Sequence, residues 1–130
     1  MTPKARKWRR KYYPAPARRV RKKDALDHAE RKWMGLRPAV LWKYGLRVYN
    51  RDIYDENDNL VLEVNGQTCA PCLWFKCTTC PITVAGGSCG GDSGLYCRWG
   101  CTGDPEPMIR LLRKAKRMQA AAEAAKGGGP

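Results

Sequence analysis

The residues of this chain best suited to chemistry are Cys69, Cys72, Cys77 and Cys80, two C-x-x-C pairs separated by only four residues, followed by Cys89, Cys97 and Cys101. A C-x-x-C pair sits on one tight turn and aims both sulfurs at one point, which a tetrahedral metal requires from two such turns at once. Zinc held by Cys69, Cys72, Cys77 and Cys80 is therefore the leading expectation. Four residues are few to carry the chain round a tetrahedron, so Cys89 is the first substitute ligand and Cys97 and Cys101 are further alternates. An iron–sulfur centre drawing on more than four thiolates is the alternative cofactor.

Two other cysteine chemistries compete. Cys69-Ala-Pro-Cys72 looks like the dithiol of thioredoxin-like proteins, in which a low-pKa thiol opens a helix after a strand, here residues 61–64. Such a fold needs a helix running on from the dithiol, and Cys77-Thr-Thr-Cys80-Pro81 interrupts it within two turns. A thiol oxidoreductase is thus the one enzymatic reading, and a non-enzyme is expected. Structural disulfides, in a virion or an exported particle, would suit Cys97-Arg-Trp-Gly-Cys101 and the glycine-rich stretch 86–94. Seven cysteines cannot all pair within one chain.

Other motifs exclude themselves. Gly90-Gly91-Asp92-Ser93-Gly94 has the look of a serine-protease nucleophile segment, but 130 residues cannot supply that double barrel, and the lone His28 lies far upstream without an acid partner. The glycine pairs lack the Lys-Ser/Thr of a phosphate-binding loop. The Asp55–Asn59 run lacks the central glycine and spaced glutamate of a calcium loop.

The charge distribution points to a partner. Net charge is +13, and residues 1–23 alone hold 11 Lys/Arg and no acid, whereas residues 24–104 are nearly balanced. Lys4, Arg6, Lys7, Arg9, Arg10, Lys11, Arg18, Arg19, Arg21, Lys22 and Lys23 repel one another and Pro14 and Pro16 block helix propagation, so a disordered arm is expected. Such an arm gains affinity for DNA or RNA by releasing counterions from phosphates, and Trp8, Tyr12 and Tyr13 among the cations would stack on unpaired bases. A solubilising tail, or a strap on an acidic protein partner or virion component, is the alternative. No apolar run approaches the roughly 20 residues of a membrane span, and no apolar stretch follows the basic N-terminus, so no membrane partner and an intracellular site are expected.

These groups must be positioned by a small body. We expect a small α+β fold: the arm at 1–23, a Cys-rich metal-stapled module at 24–104, and a C-terminal helix and tail at 105–130. Within the module, residues 24–45 read as two short helices, the first capped by Asp24, carrying Leu26, Ala29 and Trp33 on one face and stopped by Gly35, the second opened by Pro38 and ended by Gly45. The second offers only Arg37 and Lys43 as polar contacts, so it is not read as a DNA-recognition helix. His28 is expected in solvent. Residues 46–54 and 60–64 read as one β-hairpin about the turn 55–59, and 65–104 as the cysteine knuckles. From Pro105, Met108, Leu111, Leu112, Ala115 and Met118 form an apolar stripe opposite Arg110, Arg113, Lys114 and Arg117, a second candidate phosphate face.

The order C-x-x-C, C-x-x-C-P, Gly-x-Cys, an aromatic and a C-terminal amphipathic helix, after a helix ending in Lys32-Trp33, resembles a group of small phage-encoded proteins. The matching positions are Cys69, Cys72, Cys77, Cys80, Pro81, Gly87, Cys89, Tyr96 and the helix from Met108, spanning roughly residues 25–118. The resemblance implies a viral origin, hence a host-cell or virion location, and a metal site, but no activity. The basic arm, Cys97, Cys101 and the hairpin-like 46–64 depart from it.

Overall fold

The computed structural model of the chain describes residues 1–65, 68–75, 80–85 and 94–127. It is a small α+β fold in which helices pack around one central helix beside a three-stranded antiparallel sheet. Cys77 and Cys89, and with them much of the expected knuckle region, lie outside the described residues.

The N-terminal segment is not a disordered arm. Residues Pro3–Tyr12 form helix α1, capped by the Thr2 hydroxyl, which accepts the Ala5 N–H at 3.1 Å, with Pro3 at the first helical position where its missing N–H costs nothing. The cations occupy the outer side, while Ala5 and Trp8 point inward and are fully buried. The Trp8 indole N–H donates to the Gly35 carbonyl at 2.9 Å. Burial of an aromatic of this size outweighs repulsion between solvated cations, a balance that charge counting misses. Two short 3-10 turns, Ala17–Arg19 and Lys22–Asp24, lead on to α2, Ala25–Met34.

Helix α2 is the central strut, with α1 and the later helices Ala70–Trp74 and Glu106–Gly127 packed against it. Its buried face carries Leu26, Ala29 and Trp33, as the periodicity predicts, but also Ala25, His28 and Lys32. Asp24 makes no capping bond; its carboxylate faces Arg21 at 3.4 Å. Gly35 ends the helix and also admits α1: a Cβ here would lie 2.6 Å from Tyr12 Cβ and 3.0 Å from Trp8 Nε1. Helix α3, Pro38–Lys43, follows as expected.

The expected hairpin is a three-stranded sheet. Strands β1, Arg47–Tyr49, β2, Asp52–Tyr54, and β3, Leu60–Glu63, pair in the order β1-β2-β3. Asn50 and Arg51 adopt φ of 52° and 66°, so they fold the predicted first strand on itself, with Val48 opposite Ile53. Two successive left-handed residues make the tight turn whose twist matches antiparallel strands. The Asp55–Asn59 turn is built on the buried Asp55 carboxylate, which accepts the N–H groups of Thr2, Asn57 and Asn59, each at 2.9 Å, and so ties the sheet to the start of α1.

Helix α4, Ala70–Trp74, starts at Cys69, and Trp74 donates its indole N–H to the Val20 carbonyl at 2.7 Å, pinning it to the 3-10 turns. Short α5, Pro81–Val84, packs on α7. Helix α6, Leu95–Thr102, buries Trp99 edge-on against Trp33 at 5.3 Å between ring centres, and Gly103 at φ 72° closes it in a left-handed cap. Helix α7, Glu106–Gly127, lays Met108, Ile109, Leu112 and Ala115 on the core; Leu111 is half-buried and Met118 is exposed, so the stripe is shifted from the expected one by the inward turn of Ile109. Salt bridges from Arg113 and Lys116 to Glu30 clamp α7 to α2.

Candidate functional site

The thiols of one C-x-x-C pair meet. Cys69 is the N-cap residue of α4 and Cys72 lies in its first turn, because Pro71 favours helix entry and the Cys72 N–H donates to the Cys69 carbonyl at 3.1 Å. The Cys72 thiol donates to the Cys69 sulfur; this outweighs burial, and with the nearby Lys32 ammonium and the Cys72 N–H it lowers the Cys69 pKa to about 6. Lys32 is itself buried on α2 and donates to the Thr68 carbonyl at 3.0 Å, immediately before Cys69. A buried cation beside a buried thiol stabilises the thiolate, the form that ligates metal. Cys69 is the more buried of the two, whereas a dithiol nucleophile needs access. Cys80 is buried at the start of α5. Cys97 and Cys101 lie one turn apart on α6, half-buried and exposed. Among the described residues no group of three or more Cys, His, Asp or Glu is assembled as a metal cluster.

The cations expected to contact phosphates divide into two sets. Several are engaged within the protein: Lys4 faces Glu56 at 3.7 Å, Arg9 donates to the Val61 carbonyl at 2.7 Å, Arg21 pairs with Asp24 and Arg113 with Glu30. Lys22 lies over the Phe75 ring at 4.9 Å. Arg6, Lys7, Arg10, Lys11, Arg18, Arg19, Lys23, Arg110, Lys114 and Arg117 are exposed on their helices and turns. The aromatics expected to stack on bases do not project: Trp8 and Tyr13 are buried and Tyr12 is half-buried against Tyr44 and Trp8, because α1 spends them on the core.

Three adjoining grooves run along the α1–α2 face. One of about 340 Å³ is lined by Arg6, Arg9 and Arg10 with Tyr13 and Pro14. It meets, through Arg10, a groove of about 640 Å³ between α1, α2 and α7, lined also by Lys11, Arg31 and Lys116. Arg31 and Asp27 in turn border a recess of about 420 Å³ between the 3-10 turns and α2, where Arg19, Arg21 and His28 converge. The acids along this track are compensated: Glu30 is held below the usual carboxylate range because hydrogen bonds from Lys116 and Arg113 outweigh its burial, and Asp27 holds Lys116 above the usual ammonium range together with Glu30.

Sequence reasoning missed Arg31, Lys116 and Trp42. Trp42 on α3 is 87% exposed and Tyr49 on the edge strand β1 is 64% exposed, beside Lys43 and Arg47. Trp42 follows Val40 and Leu41 in an apolar run, so nothing in the residue order marks its exposure, whereas Lys32-Trp33, with the same dipeptide types in reverse order, is buried.

The described geometry thus defines a helix-rich α+β protein with a cationic face and a paired-thiol turn. The sequence matches no family model, no curated protein and no solved structure. No helix among the described residues is long and apolar enough to cross a membrane.

Proposed function

We propose that this is a non-enzymatic nucleic-acid-binding protein of a phage-like genome, acting inside the host cell and contacting phosphates with little regard to base sequence. The observation that carries the reading is the continuous cationic track along α1 and α2, where Arg6, Arg10, Lys11 and Arg31 have no carboxylate partner among the described residues. A rigid basic face releases counterions as a disordered arm would, without losing the entropy of ordering the chain on binding. Trp42, flanked by Lys43, replaces Trp8, Tyr12 and Tyr13 as the base-stacking side chain.

Zinc belongs to the same proposal. Cys69 and Cys72 would supply half of a tetrahedral thiolate set, with Cys77 and Cys80 completing it and Cys89 the first substitute. The paired sulfurs and the buried Lys32 ammonium beside them support a thiolate centre, since a set of four thiolates around zinc carries net negative charge that needs a counter-cation. Zinc here would be structural, and a strong chelator should lower the melting temperature cooperatively. Elemental analysis of protein purified without added metal tests this directly; fully reduced, metal-free protein with an unchanged melting temperature would rule it out.

The binding test is a salt titration. Replacing Arg6, Arg10 and Lys11 by Gln should reduce the slope of log K against log salt by about 0.9 for each duplex phosphate no longer neutralised, with equal effect on unrelated sequences. An unchanged slope would remove α1 from the interface. Trp42 and Tyr49 favour a second reading, a face for a protein partner such as a virion component. That reading prevails if the wild type binds neither DNA nor RNA at low salt.

A further inference from the structure

Cys97 and Cys101 stand one turn apart on α6, half-buried and exposed, and both thiols are free. Residues four apart on a helix are neighbours on its surface, with about 5–6 Å between their Cβ atoms. A disulfide needs a Cβ separation of about 3.5–4.5 Å, so the intact helix keeps this pair from closing. The disulfide expected for Cys97-Arg-Trp-Gly-Cys101 is therefore not formed, and two accessible sulfurs share one side of α6 while Trp99 turns into the core.

The number of donors selects the ligand. Among the described residues no group of three or more Cys, His, Asp or Glu is assembled, so the pair stands as two thiols alone. Zinc takes four protein ligands in a structural site and three in a catalytic one, and two thiols do not make such a centre. Monovalent copper is soft, prefers thiolates, and is satisfied by two of them in line, with the ion lying between sulfurs that do not bond each other.

The surroundings supply the charge that such an ion requires. Two thiolates about a monovalent cation leave one net negative charge. Arg51, in the turn between β1 and β2, lies over the Tyr96 ring at 5.1 Å and reaches α6 at Gly100. A Cβ on Gly100 would stand 2.7 Å from Arg51 Nε, so only glycine admits this approach without a shift of the side chain. Gly100 precedes Cys101 and is three residues beyond Cys97, hence beside both on the helix surface. The Arg51 guanidinium, which has no carboxylate partner among the described residues, thus borders the thiol pair.

We infer that Cys97 and Cys101 form a binding site for Cu(I), held between the two thiolates with the Arg51 guanidinium as counter-cation. Each sulfur releases its proton to solvent as it takes the metal, and no electron moves. The site lies on a different helix from the Cys69–Cys72 turn and depends on neither the zinc nor the nucleic-acid reading.

The test is an anaerobic titration of the full-length protein with Cu(I) against a coloured Cu(I) chelator. Wild type should bind one ion more than Cys97→Ser with Cys101→Ser; both proteins keep the Cys69–Cys72 turn, so the difference is the same whether or not zinc is bound there. Cys101→Ser with Thr102→Cys keeps the thiol count but moves one sulfur off the shared side, and should weaken binding about a hundredfold or more, the usual loss when two linked ligands no longer act together. Arg51→Gln should weaken it several-fold; an unchanged affinity removes the guanidinium from the site. Equal copper uptake by wild type and the double-serine variant, or undiminished affinity after the shift to position 102, overturns the proposal. So does a zinc titration that separates wild type from the double-serine variant, since it would reveal a larger ligand set. Should the double-serine variant fail to fold, the shifted variant, which retains Cys97, decides alone.

Discussion

Trp8 and Trp42 have fates opposite to their local surroundings: Trp8, among the cations of residues 4–11, is fully buried with its N–H bonded to Gly35, whereas Trp42, directly after Val40 and Leu41, is 87% exposed. Their substitutions should separate stability from binding. Trp8→Ala should cost about 3–5 kcal/mol in urea unfolding, the usual penalty for a buried indole. Trp42→Ala should change stability by less than about 0.5 kcal/mol yet weaken single-strand binding by about 1–3 kcal/mol, with a smaller effect on duplex. Equal losses on single strand and duplex would mean that Trp42 does not stack. Asp55 shows the same dependence on distant partners: burial raises its pKa, but the N–H groups of Asn59, Thr2 and Asn57 and the terminal ammonium more than reverse this.

Helix α1 makes its closest approach to α2 at one glycine. It lies on α2 where Gly35 leaves room for Tyr12 and Trp8, so Gly35→Ala would place a Cβ 2.6 Å from Tyr12 Cβ and Cγ. The helix can relieve that overlap only by shifting, at a cost of about 1–3 kcal/mol for overpacking. Amide exchange should then accelerate in α1 ahead of α7, whose attachment through Ile109 and Leu112 is untouched. Uniform acceleration would show that α1 has no independent opening. Because the cationic face includes α1, the same variant should weaken nucleic-acid binding in proportion to the population of detached helix.

For the molecule as a whole, Cys69 weakens the fold as pH falls from 9.0 to about 6, and three further groups fix the response to stronger acid. His28, Glu30 and Asp55 all have folded-state pKa values below their unfolded ones, so each binds more protons when unfolded and each makes stability fall as pH falls. The histidine contribution is complete above 6.5, the ordinary imidazole value, and is lost below it; the two carboxylates follow below their ordinary values of 4.5 and 3.8. Lys116, with a raised pKa, acts in the opposite sense and releases its contribution only in strong alkali. Melting temperature should therefore decline in two stages on further acidification, and Glu30→Gln should blunt the second stage while removing the clamp on Arg113 and Lys116. A single stage centred near pH 4 would show that His28 titrates normally in the folded protein.

Features set by near neighbours in the chain were legible from the residue order: the breaks at Gly35 and Pro38, the Asp55–Asn59 turn, the amphipathic α7, and the pairing of Cys69 with Cys72 across one turn. Each depends on caps, turns or spacing within a few residues, where local geometry leaves few options. The burial of Trp8, His28 and Lys32 was not legible, because each is fixed by a carbonyl far along the chain or across a turn: Gly35, Ala15 and Thr68. The charge of residues 1–23 could be counted, but which cations are engaged by Glu56 or by the Val61 carbonyl is decided only when helices and sheet meet. Hydrophobic burial of a single indole is worth more than the solvated repulsion of its neighbours, so tertiary packing turned an apparent arm into a wall of the protein.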